Sequence, residues 1–95
     1  MKRFKFYYDA GHGWLEVTDE DVRQIGLTRN DFSAYSYTFG DKLYLEEDCD
    51  ALTFVLAYEK IHGKIKTVAL EDGYDSPIRS MPRLQIEHDF DEIPF

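Results

Sequence analysis

Ninety-five residues are enough for one domain and leave no room for a second unit with its own core. Eleven Lys and Arg against nineteen Asp and Glu give a formal charge of −8, which opposes a phosphate field and argues against direct binding of nucleic acid. No stretch reaches the roughly 20 apolar residues of a membrane helix, and Met1-Lys2-Arg3-Phe4-Lys5 leads into an alternating segment, not an apolar signal core, so no membrane partner and a cytoplasmic location are expected.

Phe4, Phe6 and Tyr8 alternate with Lys5 and Tyr7, which predicts a strand over residues 3 to 8 with one buried face. Ala10-Gly11-His12-Gly13 reads as a tight hairpin connection whose glycines supply positive φ angles, and Trp14, Leu15 and Val17 form the returning strand. Thr18 is placed to cap a short helix. Its first turn carries Asp19, Glu20 and Asp21, Val22 and Ile25 supply the apolar stripe, and Gly26 stops it.

Ser33 to Phe39 carries Tyr35, Tyr37 and Phe39 in alternation, and Gly40-Asp41 separates it from Lys42-Leu43-Tyr44-Leu45, the pattern of a second hairpin. From Asp50 the period changes to that of a helix. Ala51, Phe54, Val55, Tyr58 and Ile61 fall at helical spacing, and Leu52 and Leu56 widen the apolar face, so this helix is expected to be mostly buried. Asp48 or Asp50 is expected to cap it, and Gly63 to close it. Residues 64 to 70 alternate again as a fifth strand. Beyond Glu71 the signals weaken, Gly73, Pro77 and Pro82 interrupt, and the chain ends in a loosely held acidic tail over residues 85 to 95. The order ββαββαβ predicts an α+β fold for residues 1 to 84: two hairpins, each followed by a helix, plus a fifth strand, in a mainly antiparallel sheet with helices on one face.

Candidate chemistry is sparse. The one cysteine, Cys49, forms no internal disulfide and fits a reducing compartment. Asp9 and His12 flank the glycine turn at acid/base spacing, which admits a small enzyme or metal-dependent factor, although a hairpin tip accounts for both residues as well. His62 at a helix C-terminus is explained by the helix dipole. Three separated histidines and one cysteine show no ligand spacing, Glu46 to Asp50 lacks the spaced ligands of a calcium loop, and no nucleophile elbow or phosphate loop is present. The expectation is therefore a non-enzymatic protein with no cofactor and no metal. Tyr7, Tyr35, Tyr37 and Tyr44 offer ring surface for stacking bases, but cross-strand packing explains them better beside so much negative charge.

Two acidic clusters remain, Asp19-Glu20-Asp21 and Glu46-Glu47-Asp48 with Asp50. Each begins a helix, so capping and dipole complementarity explain part of them. Their density also suits a partner-binding surface directed at a basic protein or nucleoprotein complex, with the acids standing in for a row of phosphates.

Tyr8-Asp9-Ala10-Gly11-His12-Gly13-Trp14-Leu15-Glu16-Val17, then Tyr35-Ser36-Tyr37 with Gly40, then Tyr44-Leu45-Glu46-Glu47-Asp48-Cys49-Asp50-Ala51 with Phe54 make the chain resemble a group of short proteins of bacteriophages, prophages and plasmids. The likeness runs over about residues 4 to 63 and has no activity attached to it. It implies a mobile-element setting inside a bacterial cell, where small acidic proteins inhibit host immunity in the manner of anti-CRISPR and anti-restriction proteins. The partner it implies is a CRISPR effector or another defence nuclease, bound by a monomer or small homo-oligomer. A self-associating phage structural or regulatory module is the other reading of such a chain.

Overall fold

The structure, a computed structural model, describes residues 2–84; the acidic tail expected over residues 85–95 lies outside them. The strands are β1 (Arg3–Tyr8), β2 (Gly13–Thr18), β3 (Tyr37–Phe39), β4 (Lys42–Glu46) and β5 (Lys66–Glu71). Helix α1 (Asp19–Gln24) follows the first hairpin and α2 (Asp50–His62) the second, with short 3-10 turns at Arg29–Asp31 and Pro77–Ser80. The expected α+β fold is therefore present. The five strands form one mixed sheet in the order β3-β4-β2-β1-β5, antiparallel throughout except that β5 runs parallel to β1.

Alternation along the strands divides the sheet into two unlike faces. Phe4, Leu15, Val17, Leu43 and Leu45 point to one side, where Val22 and Ile25 of α1 and Ala51 and Phe54 of α2 complete an aliphatic core with Phe32 and Leu84. Phe54 is wholly buried and meets Phe4 edge-on at 5.5 Å. Trp14, Tyr37 and Tyr44 point to the other side and are covered by Ile78 and Met81. Residues 76 to 84 are thus integral to the fold despite their weak sequence signal: Ser76, Ile78 and Leu84 are buried, and the Leu84 amide donates to the Ser36 carbonyl.

Helix α1 starts as the sequence indicates. The Thr18 hydroxyl accepts from the Asp21 amide at 3.1 Å and the Asp21 carboxylate accepts from the Thr18 amide at 2.9 Å, a reciprocal capping box. Helix α2 departs from expectation twice. Its N-cap is Cys49 with no side-chain cap, so neither Asp48 nor Asp50 caps it. It is also half exposed, with Leu52, Leu56 and Ile61 more than 50% accessible at 55%, 58% and 57%. Phe54 and Tyr58 define the inward side, and residues two positions away lie about 200° round the helix, so Leu52 and Leu56 must face out.

Three further expectations change. The second hairpin is shorter than its alternation suggests, because Ser33 to Ser36 form a turn and only Tyr37–Phe39 pair as a strand. Strand β5, Lys66–Glu71, falls where the alternation over residues 64 to 70 predicts a strand, but it sits at an open edge and exposes residues from both of its faces. Gly11 and Gly13 are not among the residues with positive φ. Their need is spatial: a side-chain carbon on Gly13 would collide with the Phe6 ring, and one on Gly11 would stand 3.1 Å from the Arg79 guanidinium.

Candidate functional site

The first hairpin turn is organised by one carboxylate. Asp9 Oδ1 accepts from the Gly11 and His12 amides, both at 3.0 Å, and Asp9 Oδ2 accepts from the Ser76 amide at 2.8 Å. Arg79 adds a bidentate pair, Nε to Oδ2 at 2.6 Å and Nη2 to Oδ1 at 2.9 Å. The Asp9 side chain has no exposed surface. It bonds to the backbone of His12, not to its ring, so Asp9 and His12 are not the acid/base pair that their spacing admits. Asp9 instead ties the hairpin to the segment that covers the second face.

The Arg79 guanidinium and the surrounding amides hold the Asp9 carboxyl well below the usual range. A depressed acid stabilises the fold above its unfolded value and loses that contribution as pH falls, so Asp9 should weaken the protein as pH drops below the ordinary 3.8. Urea unfolding from pH 7 down to pH 2 checks this. The stability of Asp9→Asn should fall less steeply than that of the wild type below about pH 4, and parallel acid limbs would show that the carboxylate carries no such linkage.

Next to this clasp lies a cup of about 490 Å³ lined by His12, Trp14, Tyr35, Glu46, Asp48 and Arg79, among others. Its floor is Trp14, stacked edge-on against Tyr37 with ring centres 6.2 Å apart. Arg79 covers the Trp14 ring at 5.3 Å and Arg83 covers Tyr37 at 4.8 Å. Its rim comes from two loops far apart in sequence. Trp14 pairs with Glu46 across β2 and β4, and the Glu47 amide donates to the Gly13 carbonyl at 3.1 Å. His12, Glu46 and Asp48 thereby bring one potential ligand atom each to within 4.8 Å of one another. Cys49 also lines the cup, and the charge of Asp50, then burial, pushes its thiol up, which leaves it a poor nucleophile.

The acidic residues singled out from sequence separate into three groups. Asp50 is 2% exposed and spends its carboxylate on the Ser33 amide, the Ser33 hydroxyl and the Ser36 hydroxyl, so it does not belong to a contact surface. The acids of α1 have local partners: Asp19 is held by Arg29, Glu20 by Arg23 and Asp21 by Lys2. Glu46, Glu47 and Asp48 form no ion pair among the described residues. The two clusters also lie at opposite ends of β2, one beside the Trp14–Glu46 pair and the other beside Thr18–Lys42. Four residues of strand, about 13 Å, separate those ends, so the clusters do not merge into one surface.

A further group escapes sequence reading. Glu16 stands on the second face opposite Tyr44, and its charge acts on the phenols of both Tyr44 and Tyr7. Burial, with the charge of Glu16 next, pushes the Tyr44 hydroxyl up to about 12, and Tyr7 moves the same way for the same reasons. Both phenols therefore stay protonated at neutral pH. The available signal was the position of Glu16 between Leu15 and Val17, which puts it on the face opposite the aliphatic core. Tyr37 and Tyr44 are buried on that face and Tyr7 is half-buried, so of the four tyrosines only Tyr35, 68% exposed, has a free ring.

Comparison with known proteins returns no matching family, no matching curated protein and no matching solved structure.

Proposed function

We propose that this protein is a non-catalytic binding module of a mobile genetic element. In this reading it docks the Glu46-Glu47-Asp48 edge onto a basic surface of a host nucleic-acid-handling defence complex. The observation that carries the reading is that this edge holds carboxylates without any cation partner among the described residues, whereas the acids of α1 are paired and Asp50 is buried. Unpaired charge held on rigid backbone loses little entropy on docking and speeds encounter with a surface of opposite sign. Exposed Tyr35 beside the same cup supplies an aromatic contact of the kind enriched at interfaces. The likeness of residues 8 to 17 and 44 to 51 to phage, prophage and plasmid proteins supplies the setting, and the net charge of −8 suits imitation of a phosphate row.

Purified guide-loaded CRISPR nucleases and restriction enzymes, assayed for cleavage and binding, provide the test. At least one should be inhibited by the wild type, and Glu47→Lys with Asp48→Lys should weaken that inhibition about 100-fold or more, since like charges across an interface cost several kcal/mol. Both residues are exposed and neither caps α2, so the melting temperature should hardly move. Inhibition by none of these enzymes, or equal inhibition by the charge-reversed variant, would remove the reading.

A further inference from the structure

The side chains of His12 and Asp48 make no hydrogen bond among the described residues, and that of Glu46 makes one. The imidazole of His12 makes one ring contact, to Trp14 at 6.1 Å, and no side-chain hydrogen bond among the described residues. Asp48 is exposed, and the capping role that would explain an acid at this position falls to no side chain. Glu46 Oε2 accepts only the Asp48 amide, at 3.1 Å. Yet the three side chains, from positions 12, 46 and 48, converge on one point at the rim of the cup.

We propose that these three residues bind a first-row divalent cation, with zinc as the reference ion. Donors about 2.1 Å from a shared ion lie roughly 3.4 Å apart in a tetrahedral arrangement and at most about 4.2 Å apart. The observed limit of 4.8 Å therefore closes by rotation of side chains at the surface, without movement of the backbone. The backbone is already set. Asp9 fixes the His12 amide, the Glu46 amide donates to the Ser36 hydroxyl at 3.0 Å, and the Glu47 amide joins the two loops through the Gly13 carbonyl.

Charge and donor chemistry agree with this assignment. Two carboxylates and one imidazole place at this site two of the negative charges that make up the chain's net −8. The arginines of the cup do not compete for them, because Arg79 is held by Asp9 and Arg83 lies over Tyr37 and donates to the Ala34 carbonyl. A nitrogen donor with two oxygens suits zinc or manganese, whereas calcium takes six to eight oxygens. Three protein ligands leave at least one position open towards the cup, where water or an anionic group of a ligand completes the shell. Glu46 and Asp48 belong both to the docking edge and to the cation site, so the two readings are told apart by the residues they do not share, His12 for the cation and Glu47 for docking.

Calorimetric titration of untagged, chelator-treated full-length protein with zinc chloride tests the site. One equivalent should bind saturably, and zinc should raise the melting temperature through mass action. His12→Ala and Asp48→Asn should each weaken binding at least about tenfold and cancel the thermal shift, with zinc-free melting close to wild type because both positions are exposed. His62→Ala and His88→Ala should bind as the wild type does. Absence of saturable binding, retention of full affinity by His12→Ala, loss of it in His62→Ala or His88→Ala instead, or equal affinity for calcium would each overturn the proposal.

Discussion

Trp14→Ala should destabilise the protein by about 3 to 5 kcal/mol, the range for removing a large aromatic side chain from a packed interior. Trp14 is 2% exposed, and its ring is enclosed by Tyr37, Ile78 and the Arg79 guanidinium. The loss has two parts. One is the apolar contact of the indole with the second core cluster, and the other is the support that Arg79 draws from the ring while it holds Asp9. For a domain of this size the shift in melting temperature is about 12 °C or more, at about 4 to 8 °C per kcal/mol. Circular dichroism is the suitable probe, because Trp14 is the sole tryptophan and its fluorescence disappears with it. Trp14→Phe should recover part of the loss by refilling the floor of the cup. A Trp14→Ala melting curve superimposed on that of the wild type would mean that the second cluster adds nothing to stability.

Asp50→Ala should cost about 3 kcal/mol by a different route, since buried donors left without an acceptor cost about 1 to 3 kcal/mol each. The Asp50 carboxylate accepts from the Ser33 amide at 3.0 and 2.9 Å, from the Ser33 hydroxyl at 2.8 Å and from the buried Ser36 hydroxyl. Ser36 Oγ in turn accepts the Glu46 amide. One side chain at the first turn of α2 therefore fixes both the loop before β3 and the end of β4, and a negative charge there is favoured by the helix dipole. Asp50→Asn keeps an acceptor oxygen and should lose less. Equal losses for the two variants in urea unfolding would assign the effect to charge at the helix terminus and not to the orphaned donors.

The elements legible in the sequence are those whose signals are local. Period-2 alternation at Phe4 to Tyr8 and the capping pattern at Thr18 to Asp21 each specify their own segment, and the structure places β1 and α1 there. Strand order is not local. Nothing near Phe4 indicates that it will lie beside Thr67, and nothing near Trp14 indicates Glu46, yet those two registers determine the sheet. The candidate site follows the second of them, which is why ligand spacing along the chain showed nothing while the fold brings positions 12, 46 and 48 together. Periodicity also misjudged α2, because it records which residues are apolar and not how wide a strip the sheet covers. The spacing of Asp9 along the chain points to His12, but its partner Arg79 is 70 residues away.

The parallel pairing of β1 with β5 carries a consequence for how the molecule is built. The strand made before the other four occupies an interior position in the sheet, and its second neighbour is made only after residue 65. Until then one side of β1 presents unpaired amides and carbonyls to its surroundings, a template for chance pairing with another chain. Closing that side requires contacts between distant parts of the sequence, which makes folding slower than for a chain of the same length stabilised by local contacts. Arg3 and Lys5 stand on this early strand with Lys2 just before it, and all three are exposed even in the finished fold. Positive charges at that place discourage two nascent copies from zipping together during the interval in which the N-terminal hairpin waits for its last neighbour.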